Sequence, residues 1–330
     1  MSGSTPSTGP DDEHPSRKRR IHVAAGALQD AAGRVLVARR PEGVHQGGLW
    51  EFPGGKLEPG ELPRSALARE LREELGVDVQ AARPLIRIHH DYGDRHVLLD
   101  VFLVTDYVGE PRGLEGQPLD WATPWDMDAT CFPAADKPII DALRLPSRYL
   151  ITGADPRDAC SFLHRLSASL EAGIDLVQLR AHDIDDAAYR RLAADALAVC
   201  RDKGARLLLN RDPAVVAGVC ADGLHLQAAA LWRVAARPPA HLVGASCHSA
   251  ADLRRAAALG LDYALLGPVL PTASHPGAPT LGWSSFAALA DTAALPVYAL
   301  GGLTTAQLEA SFEHGAQGIA AISGFWQAPS

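Results

Sequence analysis

The sequence predicts an α/β protein of two domains, the second a compact (β/α)8 barrel, and three observations point there. The chain has 330 residues, about twice a ~150-residue domain. In its second half, eight short apolar runs alternate with helical stretches, the pattern of parallel strands joined by crossover helices. With 47% hydrophobic and 21% charged residues, and no apolar run near the ~20 residues that cross a bilayer, the composition is that of an ordinary soluble protein with no membrane partner.

Cysteine and charge narrow the setting. Cys131, Cys160, Cys200, Cys220 and Cys247 are odd in number, widely spaced and without zinc-site spacing, so a reduced, cytoplasmic protein is expected. A net charge of -8 argues against stable nucleic-acid binding, yet leaves room for a local basic pocket around a phosphorylated small molecule. Residues 1–20, rich in Ser, Pro, Gly and charge and ending in the RKRR run, read as a disordered tail without a signal-peptide core.

From Ile21, IHVAAGALQD, a turn at Ala32-Gly33 and RVLVARR read as a β-hairpin. LWEFPGGKLEPGE then breaks the chain into a loop. PRSALARELREELG follows as a helix, with Ala66, Leu67, Leu71 and Leu75 on one stripe and Gly76 as its stop. Glu70, Glu73 and Glu74 project from its polar face at i, i+3 and i+4, where three carboxylates repel unless a cation sits among them. Taken alone, such a trio is an ordinary solvated face.

The neighbouring residues change that balance. Gly55, Glu61, Arg69, Glu70, Leu71, Glu73, Glu74, Gly76 and Val77 stand at the spacing G-x5-E-x7-R-E-U-x-E-E-x-G-U, with U aliphatic. This run resembles the complete box of the Nudix hydrolases, and the likeness extends over about residues 21–143 to the MutT-type 8-oxo-dGTP diphosphatases. It continues through ARR (38–40), DRH (94–96), GEPRGLEGQPLDW (109–121) and FPAADKPII (132–140).

The resemblance implies an α/β/α sandwich and hydrolysis of a nucleoside triphosphate, 8-oxo-dGTP, to the monophosphate and pyrophosphate, which would serve nucleotide-pool sanitation. It implies Mg2+ or Mn2+ held by Glu70, Glu73, Glu74, Glu115 and the carbonyls of Gly54 and Gly55. Arg69 would orient the carboxylates, Glu61 would brace the loop, and Glu115 would serve as metal ligand or general base. Arg40, His45, Glu51, Phe52, Pro53, Gly54 and Arg95 would contact the nucleotide.

Asp136 stands where the MutT pattern has a base-reading asparagine. An asparagine both donates and accepts, whereas an ionised aspartate only accepts. Base reading therefore requires a protonated Asp136 or a different base, and a thiamine-pathway diphosphate is the alternative substrate.

Only Pro146 and Ser147 separate the last helix of the first domain, within AADKPIIDALRL, from the next strand, so the two domains, 21–146 and 147–330, are expected to pack together. The eight strands are read at 148–152, 175–180, 206–210, 223–226, 242–247, 263–269, 296–300 and 318–323. Polar residues stand at their C-terminal ends: Gln178, Arg180, Asn210, His225, Ser246, His248, Thr272 and Ser274. Gly301-Gly302 and Ser323-Gly324 follow the seventh and eighth strands, where barrels commonly bind phosphate.

VQLR, NRD, DGLHL, DYALLGPVLPT and ALGGLT resemble the thiamine phosphate synthase/TenI family over about residues 148–324. The resemblance implies a thiamine-pathway phosphate held by Gln178, Arg180, Asn210, His248, Thr272, Gly301, Gly302, Ser323 and Gly324. Where the synthase pattern has two metal-binding aspartates and two pyrophosphate-binding lysines, this chain has Arg211, Ala230, His182 and His275, so synthase chemistry is not expected. The alternatives are a thiazole tautomerase, with His248 or His275 replacing the histidine lost at Pro268, or a non-catalytic regulatory module. Only GFWQAPS follows the eighth strand, so the barrel should lack most of its last helix. The first domain, or a second copy in a homo-oligomer formed through the barrel, is expected to cover that strand.

Overall fold

A computed structural model describes residues 19–153, 155–272, 277 and 279–326. Strand β1 (Arg19–Leu28) begins two residues before the apolar pattern does. It is followed by β2 (Val35–Arg39), β3 (Trp50–Glu51), β4 (Gly54–Lys56), α1 (Pro63–Leu75), β5 (Asp78–Asp91), β6 (Arg95–Val108), β7 (Leu119–Ala122) and α2 (Lys137–Arg144). The strands form a four-stranded sheet of order β4-β1-β6-β5 and a three-stranded sheet of order β3-β2-β7.

The expected hairpin of β1 and β2 does not form. Both edges of β1 are taken, one by β6 in parallel register over Arg19–Leu28 and the other by β4, so β2 pairs with β3 and β7. Only the Gln29–Val35 bridge and the Asp30 turn, closed by its carboxylate on the amides of Ala32 and Arg34, join β1 to β2.

Alternation along β1 explains the layering. Ala24 and Leu28 face one side with Leu67, Leu71 and Leu75 of α1, while Ala25 and Ala27 face the other with Ile139 and Ile140 of α2. Helices thus cover both faces of the sheet, an α/β/α sandwich. Each fully buried leucine of α1 removes enough apolar surface to stabilise the fold by about 1.5–3 kcal/mol. Gly76 ends α1 as expected, its amide reaching back to Arg72 O.

The second half contains β8 (Arg148–Ile151), α3 (Ala159–Glu171), β9 (Leu176–Leu179), α4 (Asp186–Asp202), β10 (Arg206–Leu209), α5 (Pro213–Val216), β11 (Gly223–Leu226) and α6 (Ala228–Arg233). It continues with β12 (Leu242–Cys247), α7 (Ala250–Ala258), β13 (Tyr263–Leu266), α8 (Gly282–Ala290), β14 (Val297–Leu300), α9 (Leu308–Glu313) and β15 (Gly318–Ala321). All eight strands pair in parallel and close into a barrel. Asp158, Asp185, Asp212 and Ser249 each cap the following helix by accepting from a backbone amide, which marks the helix starts in sequence. Several strands end before their apolar runs do, because Thr152, Arg180 and Asn210 already lie beyond the ladder, in the loops at its C-terminal end.

No helix follows β15 among the described residues, as expected, but its cover differs from expectation. Phe325 and Trp326 fold back, their amides bonding Ile322 O at 3.2 and 2.8 Å, and the Trp326 ring lies 5.1 Å from Phe162 of α3. They join Ile319 and Ala321 in the barrel's outer core, so the chain's own end covers the strand that the first domain or a second copy was expected to cover.

The two halves are packed together. The Arg83 guanidinium lies 4.1 Å over Phe312, Arg87 reaches Asp291 at 3.2 Å, and Gln317 donates to Ala142 O and Leu145 O at 3.0 and 2.8 Å. Tyr298 donates from inside the barrel to Pro146 O at 2.5 Å. All five cysteines are free, and among the described residues no helix is long and apolar enough to cross a membrane.

Candidate active site and barrel cavity

β4 and α1 hold the acidic centre. Gly54, at φ +148°, is pressed so close to β1 that a Cβ would sit 2.2 Å from Ala24 O. Gly55 lies against the Glu70 carboxylate, where a Cβ would come within 2.3 Å of Cδ. Two glycines therefore let the loop backbone approach the carboxylates of α1. The Gly54 amide donates to Glu74 Oε2 at 3.1 Å.

Arg69 organises the rest. It donates to Glu61 through Nε and Nη2 at 3.0 and 2.9 Å, to Glu70 at 2.8 Å, to Glu73 at 3.3 Å and to Lys56 O at 3.1 Å. The Arg69 side chain and the Glu58 amide hold the Glu61 carboxyl below its ordinary range. Glu74 has no such partner. Burial pushes its carboxyl up to about 7, against the pull of the Gly54 amide, and the charges of Glu70, Glu115 and Glu51 push the same way as burial. Among the described residues no three such side chains converge tightly enough to hold a metal ion as they stand.

Glu51 links this centre to a second cluster. Its carboxylate pairs with Arg40, whose Nε and Nη2 also donate to His45 O at 3.2 and 2.9 Å. Burial raises the Glu51 carboxyl against the opposing charge of Arg40. Asp136 is only 7% exposed, and burial, reinforced by Glu51 and opposed by Arg40, pushes its carboxyl up to about 7. Phe52 stacks on Phe132 at 5.8 Å, and Pro53 O accepts from the Gly26 amide.

Tyr92, at the β5–β6 turn, was not singled out by the sequence. Its ring meets His45 at 5.7 Å, His90 at 4.3 Å and the Arg95 guanidinium at 5.7 Å, and its hydroxyl senses the charges of Asp136 and Arg40. Its position two residues before DRH was the available signal. The residues expected to touch nucleotide thus lie around one band running from Asp136 through Glu51 to Glu74. Glu115 is exposed at the rim, near enough to Glu74 to raise its carboxyl.

In the second half, a cavity of about 730 Å3 opens at the C-terminal ends of the barrel strands. Gln178, Arg180, Asn210, His248, Thr272, Gly301, Gly302 and Ser323 all line it, with His182, Gln227 and Ser246. Gly324 does not; it lies behind the wall, where a Cβ would sit 2.5 Å from Leu303 O. His225 is buried beneath the floor, its imidazole pushed down to about 3 by burial. Ser274 and His275 lie outside the described residues. Gln227, at the end of the GLHLQ run, was missed because an amide after a strand has no motif of its own.

Comparison with known proteins divides at the same place. A family described as NUDIX domain matches residues 24–142, and one described as thiamine monophosphate synthase matches residues 148–325. The chain is 50% identical over 93 residues to an 8-oxo-dGTP diphosphatase of Proteus vulgaris, covering 28% of this chain and 83% of that protein. It is 36% identical over 126 residues to an 8-oxo-dGTP diphosphatase of Escherichia coli K12, covering 38% of this chain and 98% of that protein. It is 35% identical over 185 residues to a putative thiamine-phosphate synthase 2 of Aquifex aeolicus VF5, covering 56% of this chain and 99% of that protein.

Proposed function

The chain belongs to the Nudix hydrolase family through its N-terminal part and to the thiamine phosphate synthase/TenI family through its C-terminal part, and on that premise we propose that residues 21–146 hydrolyse 8-oxo-dGTP to 8-oxo-dGMP and pyrophosphate. Residues 147–330 then bind a thiamine-pathway phosphate. The observation that carries the hydrolase reading is the continuity of Asp136, Arg40, Glu51 and Glu74, which joins a base-reading end to an acidic, phosphate-facing end.

The donor set fits a divalent metal. Hard carboxylate oxygens gather around Glu74, whose carboxyl is raised by burial and further by the charges of Glu70, Glu115 and Glu51, and Gly55, lacking a Cβ, lets the loop backbone lie against the Glu70 carboxylate. Glu70, Glu73, Glu74, Glu115 and the carbonyls of Gly54 and Gly55 would hold Mg2+ or Mn2+. When bound, such a cation neutralises phosphate charge and lowers the pKa of an attacking water.

The chain's own groups do the rest. Arg69 keeps Glu61, Glu70 and Glu73 aligned, and Glu115 takes the proton from water as its oxygen bonds to phosphorus and the bond to the departing pyrophosphate breaks. Arg40 and Arg95 balance phosphate charge, while His45, Tyr92 and Phe52 wall the nucleoside. A protonated Asp136 accepts from N7–H of 8-oxoguanine and donates to O6, reproducing both bonds of an asparagine.

Pyrophosphate release from 8-oxo-dGTP, dGTP and a thiamine-pathway pyrimidine diphosphate tests this directly. We expect at least a tenfold preference for 8-oxo-dGTP over dGTP, and a loss of about 100-fold in kcat for Glu74→Gln, which removes a ligand without changing volume. A better rate with the pyrimidine diphosphate would overturn the nucleotide assignment. Full activity in Glu74→Gln would overturn the mechanism.

A further inference from the structure

Among the described residues, the barrel cavity has no carboxylate in its lining; the charged or titratable groups there are Arg180, His182 and His248. A diphosphate activated by a divalent cation, as the family implies, needs hard anionic ligands. The residues here do not fit it. After Asn210, where the synthase pattern has a metal-binding aspartate, stands Arg211. Its guanidinium donates to Ala181 O at 3.0 Å, Ile184 O at 2.6 Å and Asp186 at 3.1 Å, and lies 4.8 Å over the Tyr189 ring. It stitches the loop after β9 to the loop after β10, so a fixed cation occupies the neighbourhood of a lost ligand. Burial, Arg180 and Arg211 together hold the His182 imidazole below its ordinary range, as expected where local charge is already positive. A divalent cation there would face the charges of Arg180 and Arg211, with Asp186 already engaged by Arg211.

The floor offers neutral donors. Gln227 donates to Asn210 at 3.1 Å, Asn210 to Gln178 at 2.9 Å and Gln178 to Tyr149 at 3.2 Å. Amide nitrogens only donate, so the Tyr149 hydroxyl accepts at the end of this run, and buried contacts continue from Tyr149 to Tyr263 at 2.8 Å, Tyr263 to His225 at 3.1 Å and His225 to Ser246 at 2.9 Å. Ser246, at the end of this buried line, lines the cavity. This buried, uncharged network supplies no anionic ligand to the cavity.

We propose that the barrel cavity does not hold a divalent cation or activate a diphosphate, and that it is a metal-independent site for a phosphate monoester held by Arg180 and the Gly301-Gly302 turn. This deepens the barrel half of the function proposed above and rests on that reading of the cavity. The hydrolase half is judged separately by pyrophosphate release, so failure of one half is distinguishable from failure of the other.

The test is calorimetric titration of the full chain with inorganic phosphate and with pyrophosphate, each in EDTA and in Mg2+. Phosphate is expected to bind in EDTA within about twofold of its affinity in Mg2+. Arg180→Met should weaken that binding about tenfold or more, and Arg180→Lys should recover part of it, which separates loss of charge from loss of fold. Absence of phosphate binding in EDTA would overturn the proposal. So would tighter binding of pyrophosphate that needs Mg2+ and is lost in Arg180→Met, since that would mean a working metal-diphosphate site in the barrel.

Discussion

Asp136 shows how one side chain can change meaning between sequence and fold. As a formal charge it opposes the O6 atom of 8-oxoguanine; buried beside Glu51 it carries a proton up to about pH 7. The folded carboxyl keeps its proton to about 7, while the unfolded one releases it near 4. Asp136's contribution to stability is therefore greatest below pH 4 and is lost as pH rises from about 4 to about 7, a change of up to about 4 kcal/mol. Asp136→Asn should flatten this part of the profile, measured by urea unfolding across that window. If the hydrolase reading holds, kcat/KM for 8-oxo-dGTP should also fall above pH 7 in the wild type and stay level in Asp136→Asn. An unchanged stability profile in the variant would mean that Asp136 is ionised throughout.

At the level of elements, helix α1 was the most legible part of the chain. Its stripe of Ala66, Leu67, Leu71 and Leu75, its stop at Gly76 and the spacing of its carboxylates are local features, written in 3.6-residue periodicity. Less legible was the β1–β2 pair, because an apolar run states that a strand is buried without saying which edge it pairs with. The chain's end was also hidden: a short GFW segment carries no periodicity, yet Phe325 and Trp326 do the work of a helix over β15. Trp326→Ala should cost about 3–5 kcal/mol in denaturant unfolding, since a large ring leaves the outer core. Trp326→Phe should cost much less, because the ring contact with Phe162 survives and the buried indole N–H has no partner to lose. Equal losses in both would assign the effect to the backbone turn instead.

For the whole molecule, the junction is the decisive feature. Gln317 reaches from just before β15 to the last carbonyls of α2 and the linker, and Arg83 crosses the other way onto Phe312 of α9. A cleft of about 580 Å3 remains between the halves, its rim closed by Arg87 with Asp291 and Arg64 with Glu313. Such exposed pairs contribute little individually, whereas the two bonds of Gln317 are buried: the Ala142 carbonyl also accepts from the Leu145 amide at 3.2 Å, so the bond to the Leu145 carbonyl carries most of the cost of losing Gln317. Gln317→Ala should lower unfolding free energy by about 1–3 kcal/mol and, if the halves unfold as one unit, shift a single transition. A loss confined to the barrel, with the N-terminal transition unmoved, would show the halves to be independent.

The sequence alone determined the two-part architecture, the helix carrying Glu70, Glu73 and Glu74, and the barrel's eight strands, because periodicity, caps and motif spacing are local quantities. The proton on Asp136, the neighbours of Tyr92, the buried chain leading to Ser246, the locking of Arg211 and the cover over β15 were decided only by tertiary structure. Each depends on burial or on atoms far apart in the chain, and burial sets both the cost of a charge and the partner that can satisfy it.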